Sequence, residues 1–165
     1  MKESSKDESS TPEVRDIEIA QRQAKDLSSQ ILESMGLRGR TSNPGPGVAV
    51  CEERDSKYFY RIHHPWSLWG PPVSDMKSAM DRLKVNLPER GWKVTSYGAN
   101  ESSAAKSLEL TADAPGQKFA INVTLFNKDQ SGEFDGPRAS KESRIMVDLV
   151  SECFRVPEGK KVDRY

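Results

Sequence analysis

Between Phe119 and Leu125 every second residue is strongly apolar: Phe119, Ile121, Val123 and Leu125 alternate with Ala120, Asn122 and Thr124. Successive side chains of an extended chain point to opposite faces, so this stretch has one oily face and one face suited to water. Such a strand belongs to a sheet covered on one side only, the habit of antiparallel sheets. The rest of the chain must therefore supply strand neighbours and a layer that covers the apolar face.

The neighbours are legible. Leu108/Leu110/Ala112 and Ile145/Val147/Leu149 repeat the alternation, the latter running on to Cys153. Trp92/Val94 begin another strand, with Lys93/Thr95 opposite. Ala114-Pro-Gly116 is a tight turn, and Asn127 to Ser143 is a long polar loop without periodicity. Upstream, Gly47-Val-Ala-Val-Cys51 and Tyr58-Phe-Tyr-Arg-Ile-His63 read as a hairpin turning at Arg54-Asp-Ser56. Pro65 is expected to end its second strand, leaving Trp66 to Pro72 as a loop.

Two helical patterns supply the cover. Val14, Ile17, Ala20, Ala24, Leu27, Ile31 and Met35 recur three or four residues apart, with Ser10-Thr-Pro-Glu13 as a start signal and Gly36 as a stop. Met76, Ala79, Met80, Leu83 and Leu87 share one face of a second helix, with Ser74 as its expected N-cap and Pro88 and Gly91 closing it. The predicted class is α+β, an antiparallel meander sheet of four to six strands with helices packed on one face. The first helix has two possible uses: packing on the domain, or docking a partner.

The expected organisation is a flexible tether over 1–10, a helix over 11–36, a Gly/Pro linker over 37–46, an α+β domain over 47–157 and a polar tail over 158–165. The tether has no apolar residue after Met1, so it has nothing to bury against its ordering entropy. Met1 leading straight into this tract is unlike a signal sequence, so export would require a targeting segment absent from this sequence. Contact with a membrane is accordingly expected only through such a tether.

Composition excludes some classes. The 25 basic residues are matched by 25 acidic ones, so no surplus of positive charge exists to neutralise nucleic-acid phosphates. No run approaches the 18 or so apolar residues of a membrane-spanning helix. None of G-x-S-x-G, H-E-x-x-H, G-x-G-x-x-G or a P-loop occurs. No catalytic residue, metal ligand or cofactor is therefore assigned.

The two cysteines, Cys51 and Cys153, lie at the first and last strands of the predicted domain. Neither has a Cys or His at zinc-ligand spacing. A disulfide between them would close a loop of roughly 100 residues, worth about 4.7 kcal/mol by chain entropy, and would point to an oxidising compartment. Two separate buried thiols are the alternative.

Tyr58, Phe59, Tyr60, Trp66 and Trp69 crowd five aromatic rings into twelve residues around Arg61. Tyr58, Tyr60, Arg61, Trp66 and Trp69 are the candidate ligand-binding residues, as a stacking platform for a ring-bearing ligand or a peptide. The alternative is that the tryptophans roof the core. His63 and His64 are adjacent on a strand, so they point to opposite faces and do not chelate one ion in regular geometry.

Five stretches, taken together, resemble small secreted or lipid-anchored proteins of unknown function from actinobacteria. These are the Ser/Glu/Lys tether, Arg61-Ile-His-His-Pro-Trp-Ser67, Leu87-Pro-Glu-Arg-Gly-Trp92, Ala104-Ala-Lys-Ser-Leu-Glu-Leu-Thr111 and Val150-Ser-Glu-Cys-Phe154. The resemblance covers about residues 47–157 and departs at the start, where no cysteine for lipidation precedes the tether. It implies export and a membrane tether, and no activity. The expected function is thus a non-enzymatic extracytoplasmic protein of the cell envelope, lipoprotein-like, binding a partner protein, an envelope component or a ligand. The alternatives are an intracellular adaptor that docks through its N-terminal helix, and an enzyme whose site is assembled from distant residues.

Overall fold

The computed structural model describes residues 11–42, 44–102, 106–130 and 142–162. The expected tether and most of the loop after Asn127 lie outside these residues. The described residues form two α-helices and a sheet of nine strands, more than the four to six expected. In chain order these are β1 (Glu13–Val14), α1 (Ile17–Met35), β2 (Arg40–Thr41), β3 (Gly47–Ala49), β4 (Phe59–Trp69) and α2 (Val73–Asn86). They are followed by β5 (Lys93–Ala99), β6 (Leu108–Ala114), β7 (Phe119–Phe126), β8 (Arg144–Ser151) and β9 (Phe154–Arg155).

Consecutive strands β5 to β8 pair antiparallel, and β8 pairs in turn with β4, so the first long strand lies beside the last. The sheet is mixed rather than purely antiparallel because β1 runs parallel to β9. That pairing also corrects the start of the first helix. Glu13 and Val14 give their backbone to the sheet, Val14 is exposed, and Asp16 caps the helix by accepting the Glu18 N–H at 3.1 Å. The end is as the sequence reads: Gly36 takes a left-handed φ of 60°, conformational freedom that glycine supplies without a Cβ penalty.

Ile17, Ala20, Ala24, Leu27, Ile31 and Met35 of α1 and Met76, Ala79, Met80 and Leu83 of α2 are buried in one core with the inward residues of the sheet. Those inward residues include Tyr60, Ile62 and Trp66 of β4, Leu110 and Ala112 of β6, Ile121, Val123 and Leu125 of β7, and Ile145, Val147 and Leu149 of β8. The N-cap of α2 is Pro72 rather than Ser74; its carbonyl accepts the N–H groups of Asp75 and Met76.

Pro65 does not end a strand. β4 runs through it to Trp69, with Pro65 opposite Asp148 of β8. The Ile62 N–H points towards Ser151 on the β8 side, and the Ser67 N–H points to Ser42 on the other side. By period-two alternation the Pro65 nitrogen shares the Ser67 direction. There it falls in the gap between β3, which pairs with residues 61–63, and β2, which pairs with 68 and 69. A strand loses nothing by lacking an N–H where no partner waits to accept it.

Cys51 and Cys153 form a disulfide with Cα atoms 5.9 Å apart. Between the pairs His63–Val150 and Tyr60–Phe154, three steps along β4 face four along its partner, so Glu152 and Cys153 sit in a one-residue bulge. The bulge changes the parity of the chain: Phe154 takes the core position that simple alternation assigned to Cys153. Cys153 instead lines the hollow that also holds Arg61 and Val150 on the opposite face. β3 and β8 flank β4 on its two sides, so the bridge straddles that strand.

Candidate functional site

β4 carries all five candidate binding residues or abuts them, and its alternation separates them. Tyr60 is fully buried, donates its hydroxyl to the Arg15 carbonyl at 2.6 Å, and lies 5.8 Å from the Phe154 ring. Arg61 is on the opposite, uncovered face, its Nε buried and without a hydrogen-bond partner among the described residues. Trp69 is on that face too, half-buried beneath Arg40 at 6.0 Å. Tyr58 precedes the strand, half-buried under Arg155 at 5.7 Å. Trp66 points inward with 6% of its surface exposed. The five do not converge on one surface.

Arg61 lines the hollow beside Cys153, and Trp66 reaches a separate cleft on the helix side. This cleft, of about 300 Å³, lies between α1, the segment 41–46 and β4. Lys25, Ser28, Ser29 and Leu32 line it from α1, Thr41, Ser42 and Pro44 from the connecting segment, and His64 and Trp66 from β4. Ser42 and Pro46 of the connecting segment are held against β4 and α1 respectively. Ser42 donates its N–H to the Ser67 carbonyl at 3.0 Å and accepts the Ser67 N–H on its hydroxyl at 2.9 Å. Gln21 donates to the Pro46 carbonyl at 2.9 Å.

At the floor of the cleft three side chains and one carbonyl form a chain. His64 Nε2 lies 2.9 Å from the Pro44 carbonyl oxygen. A carbonyl only accepts, so Nε2 carries the hydrogen and Nδ1 the lone pair. Ser28 Oγ, 2.9 Å from Nδ1, therefore donates to it, and accepts the Trp66 indole N–H at 3.0 Å. Burial holds His64 below the ordinary imidazole range, and the charges of Lys25 and His63 add to that effect. The bond to the Pro44 carbonyl opposes it without reversing it. His63, one residue earlier, faces the other way and meets the Asp148 carboxylate on the outer surface.

The aromatic cluster pointed towards Trp66 and missed the groups that join it. One signal for Ser28 exists in the sequence: it falls four residues after Ala24 and three before Ile31, inside the stripe α1 buries. A hydroxyl at a core-facing position needs a partner, and His64 and Trp66 are those partners. Lys25, Thr41 and Ser42 carry no such mark. Among the described residues no group of three metal-ligating side chains exists, and no helix is long and apolar enough to cross a membrane. Compared with protein-family models, curated proteins and solved structures, the chain matches none.

Proposed function

We propose that this is a non-enzymatic extracytoplasmic protein that binds a small ligand in the cleft between α1 and β4. The observation that carries this reading is the make-up of the cleft. Hydroxyls of Ser29, Thr41 and Ser42 and the Lys25 ammonium stand beside the apolar surfaces of Leu32, Pro44, Pro46 and Trp66. A few placed polar groups in an otherwise apolar hollow are what fix and orient a small molecule. The Cys51–Cys153 bridge fits an oxidising compartment, and the likeness to actinobacterial envelope proteins adds tethering at a membrane as part of the same proposal.

Two other readings have weaker supports. An adaptor docking through its first helix needs that helix's apolar face, and α1 spends it on the domain core. An enzyme would use the Ser28–His64 pair as nucleophile and base, since the two are in hydrogen-bond reach and His64 is oriented by a third group. Ser28 lies in the interior of α1, where backbone N–H groups are already bonded to carbonyls four residues back. None of them is left to stabilise an oxyanion.

A metabolite panel of sugars, amino acids, carboxylates and nucleosides, read by the Trp66 indole N–H resonance, tests the proposal. At least one compound should shift it, and Ser29→Tyr, which fills the cleft from an exposed position, should abolish the shift. A panel without effect, or a shift untouched by Ser29→Tyr, overturns the reading. Thiol alkylation of cells at harvest tests the compartment: both cysteines should be protected, and two modified thiols would favour the adaptor. A fluorophosphonate should leave Ser28 unlabelled; labelling would favour the enzyme.

A further inference from the structure

Lys25 is the charged side chain of the cleft, and no carboxylate among the described residues lines it. Lys25 also enters none of the ion pairs formed among those residues. The Lys25 charge therefore has no carboxylate partner within the cleft. Beside it the cleft presents the hydroxyls of Ser29, Thr41 and Ser42 and the apolar surfaces of Leu32, Trp66, Pro44 and Pro46, and its volume of about 300 Å³ suits a small molecule.

We propose that the cleft takes a small organic carboxylate with an apolar body, bound by Lys25 and the Ser28 hydroxyl, and that binding is coupled to uptake of one proton by His64. The proposal rests on the ligand-site reading above and names the ligand's chemistry and its control. In the neutral state the Ser28 hydroxyl hydrogen is committed to His64 Nδ1, and its oxygen already accepts from Trp66. A proton on Nδ1 turns that nitrogen into a donor. Ser28 Oγ then accepts from both His64 and Trp66, and its own hydrogen is released to a new acceptor. A carboxylate oxygen in the cleft is such an acceptor, and its charge offsets the two cations that would otherwise repel.

The charged surroundings of His64 agree with this coupling. From α1 it meets Lys25; on its own strand His63 points to the opposite face. The 41–46 lining contributes hydroxyls and the Pro44 carbonyl, and the cross-strand partner on β8 is Leu149. No carboxylate among these stabilises the imidazolium, so an anion bound at Lys25 is what makes protonation favourable. The pair of equilibria is reciprocal: if the proton strengthens binding, the ligand raises the His64 pKa.

Benzoate, its neutral isostere benzamide, and inorganic phosphate are the probes, titrated into the full chain and read by Trp66 and the His64 ring resonances. Benzoate should bind roughly five- to tenfold tighter at about pH 5.5 than at about pH 7.5, and should raise the His64 pKa. Benzamide should bind weakly with no pH dependence. Lys25→Met, at an exposed helix position, should cost benzoate about tenfold or more. His64→Gln should flatten the pH profile; should that variant not fold, the His64 titration of the unmodified protein decides the coupling alone.

Equal binding of benzoate and benzamide, or benzoate binding indifferent to Lys25→Met, overturns the proposal. Preference for phosphate over benzoate overturns the carboxylate assignment, and a His64 pKa unmoved by bound benzoate overturns the coupling. If only neutral panel compounds shift Trp66, this inference fails while the ligand-site reading stands. If nothing shifts Trp66, both fail.

Discussion

Cys51 and Cys153 are 102 residues apart in sequence and 5.9 Å apart between Cα atoms, joined across β4 by a disulfide. The bridge ties the end of β3 to the bulge between β8 and β9, so it closes nearly the whole domain into one loop. Free-thiol titration of the denatured, unreduced protein should find close to none. The double variant Cys51→Ala/Cys153→Ala should lose about 3–5 kcal/mol in urea unfolding. A loss below about 1 kcal/mol would show that the bridge adds nothing to the constraint already imposed by β4.

The two tryptophans of β4 should behave differently because they occupy opposite faces of it. Trp66→Ala removes a buried ring and leaves Ser28 without its indole donor, at an expected cost of about 3–5 kcal/mol. Trp69→Ala removes a half-buried ring on the uncovered face and should cost about 1 kcal/mol. Iodide should quench Trp69 more strongly than Trp66. Equal costs would contradict the assignment of faces.

His64 sets a stability dependence on acid. Its folded pKa is depressed, so the unfolded chain binds the proton more readily. The associated stability is complete above the unfolded value near 6.5 and is lost as the pH falls from there through the folded value. Urea midpoints, measured without ligand, should therefore decline below about pH 6.5, and less steeply in a His64→Gln variant that folds. A midpoint unchanged between about pH 7.5 and 5 would refute the burial of a neutral His64.

Gly39 is required by a close approach rather than by its backbone angles. A Cβ there would collide with the Trp69 carbonyl and come within 2.9 Å of Pro71 Cδ. Neither neighbour is the free end of a flexible side chain. Gly39→Ala should cost about 1–3 kcal/mol and loosen the β2–β4 pairing. Gly45, where an added Cβ meets nothing, is the control and should accept alanine at little cost. Hydrogen exchange at Ser67, whose N–H is held by Ser42, should report the loosening.

Much of this fold was legible from residue order because its information is local. Alternation in Phe119–Leu125 and Ile145–Leu149 sets the buried face of β7 and β8 through backbone geometry, whatever lies beside them. Spacing of three and four did the same for α1 and α2, and the cysteines at the ends of the strand set were legible as a clasp. Other features depended on which segments met. Pro65 is harmless only because a gap between β2 and β3 lies on its nitrogen side. Glu13 and Val14 leave the helical pattern only because β9 offers an edge to pair with. The candidate site is of this second kind: Ser28, Pro44 and His64 come from a helix, a connecting segment and a strand. Each is locally an ordinary residue. The bonds that give them a shared chemistry exist only once packing removes water and brings donor to acceptor.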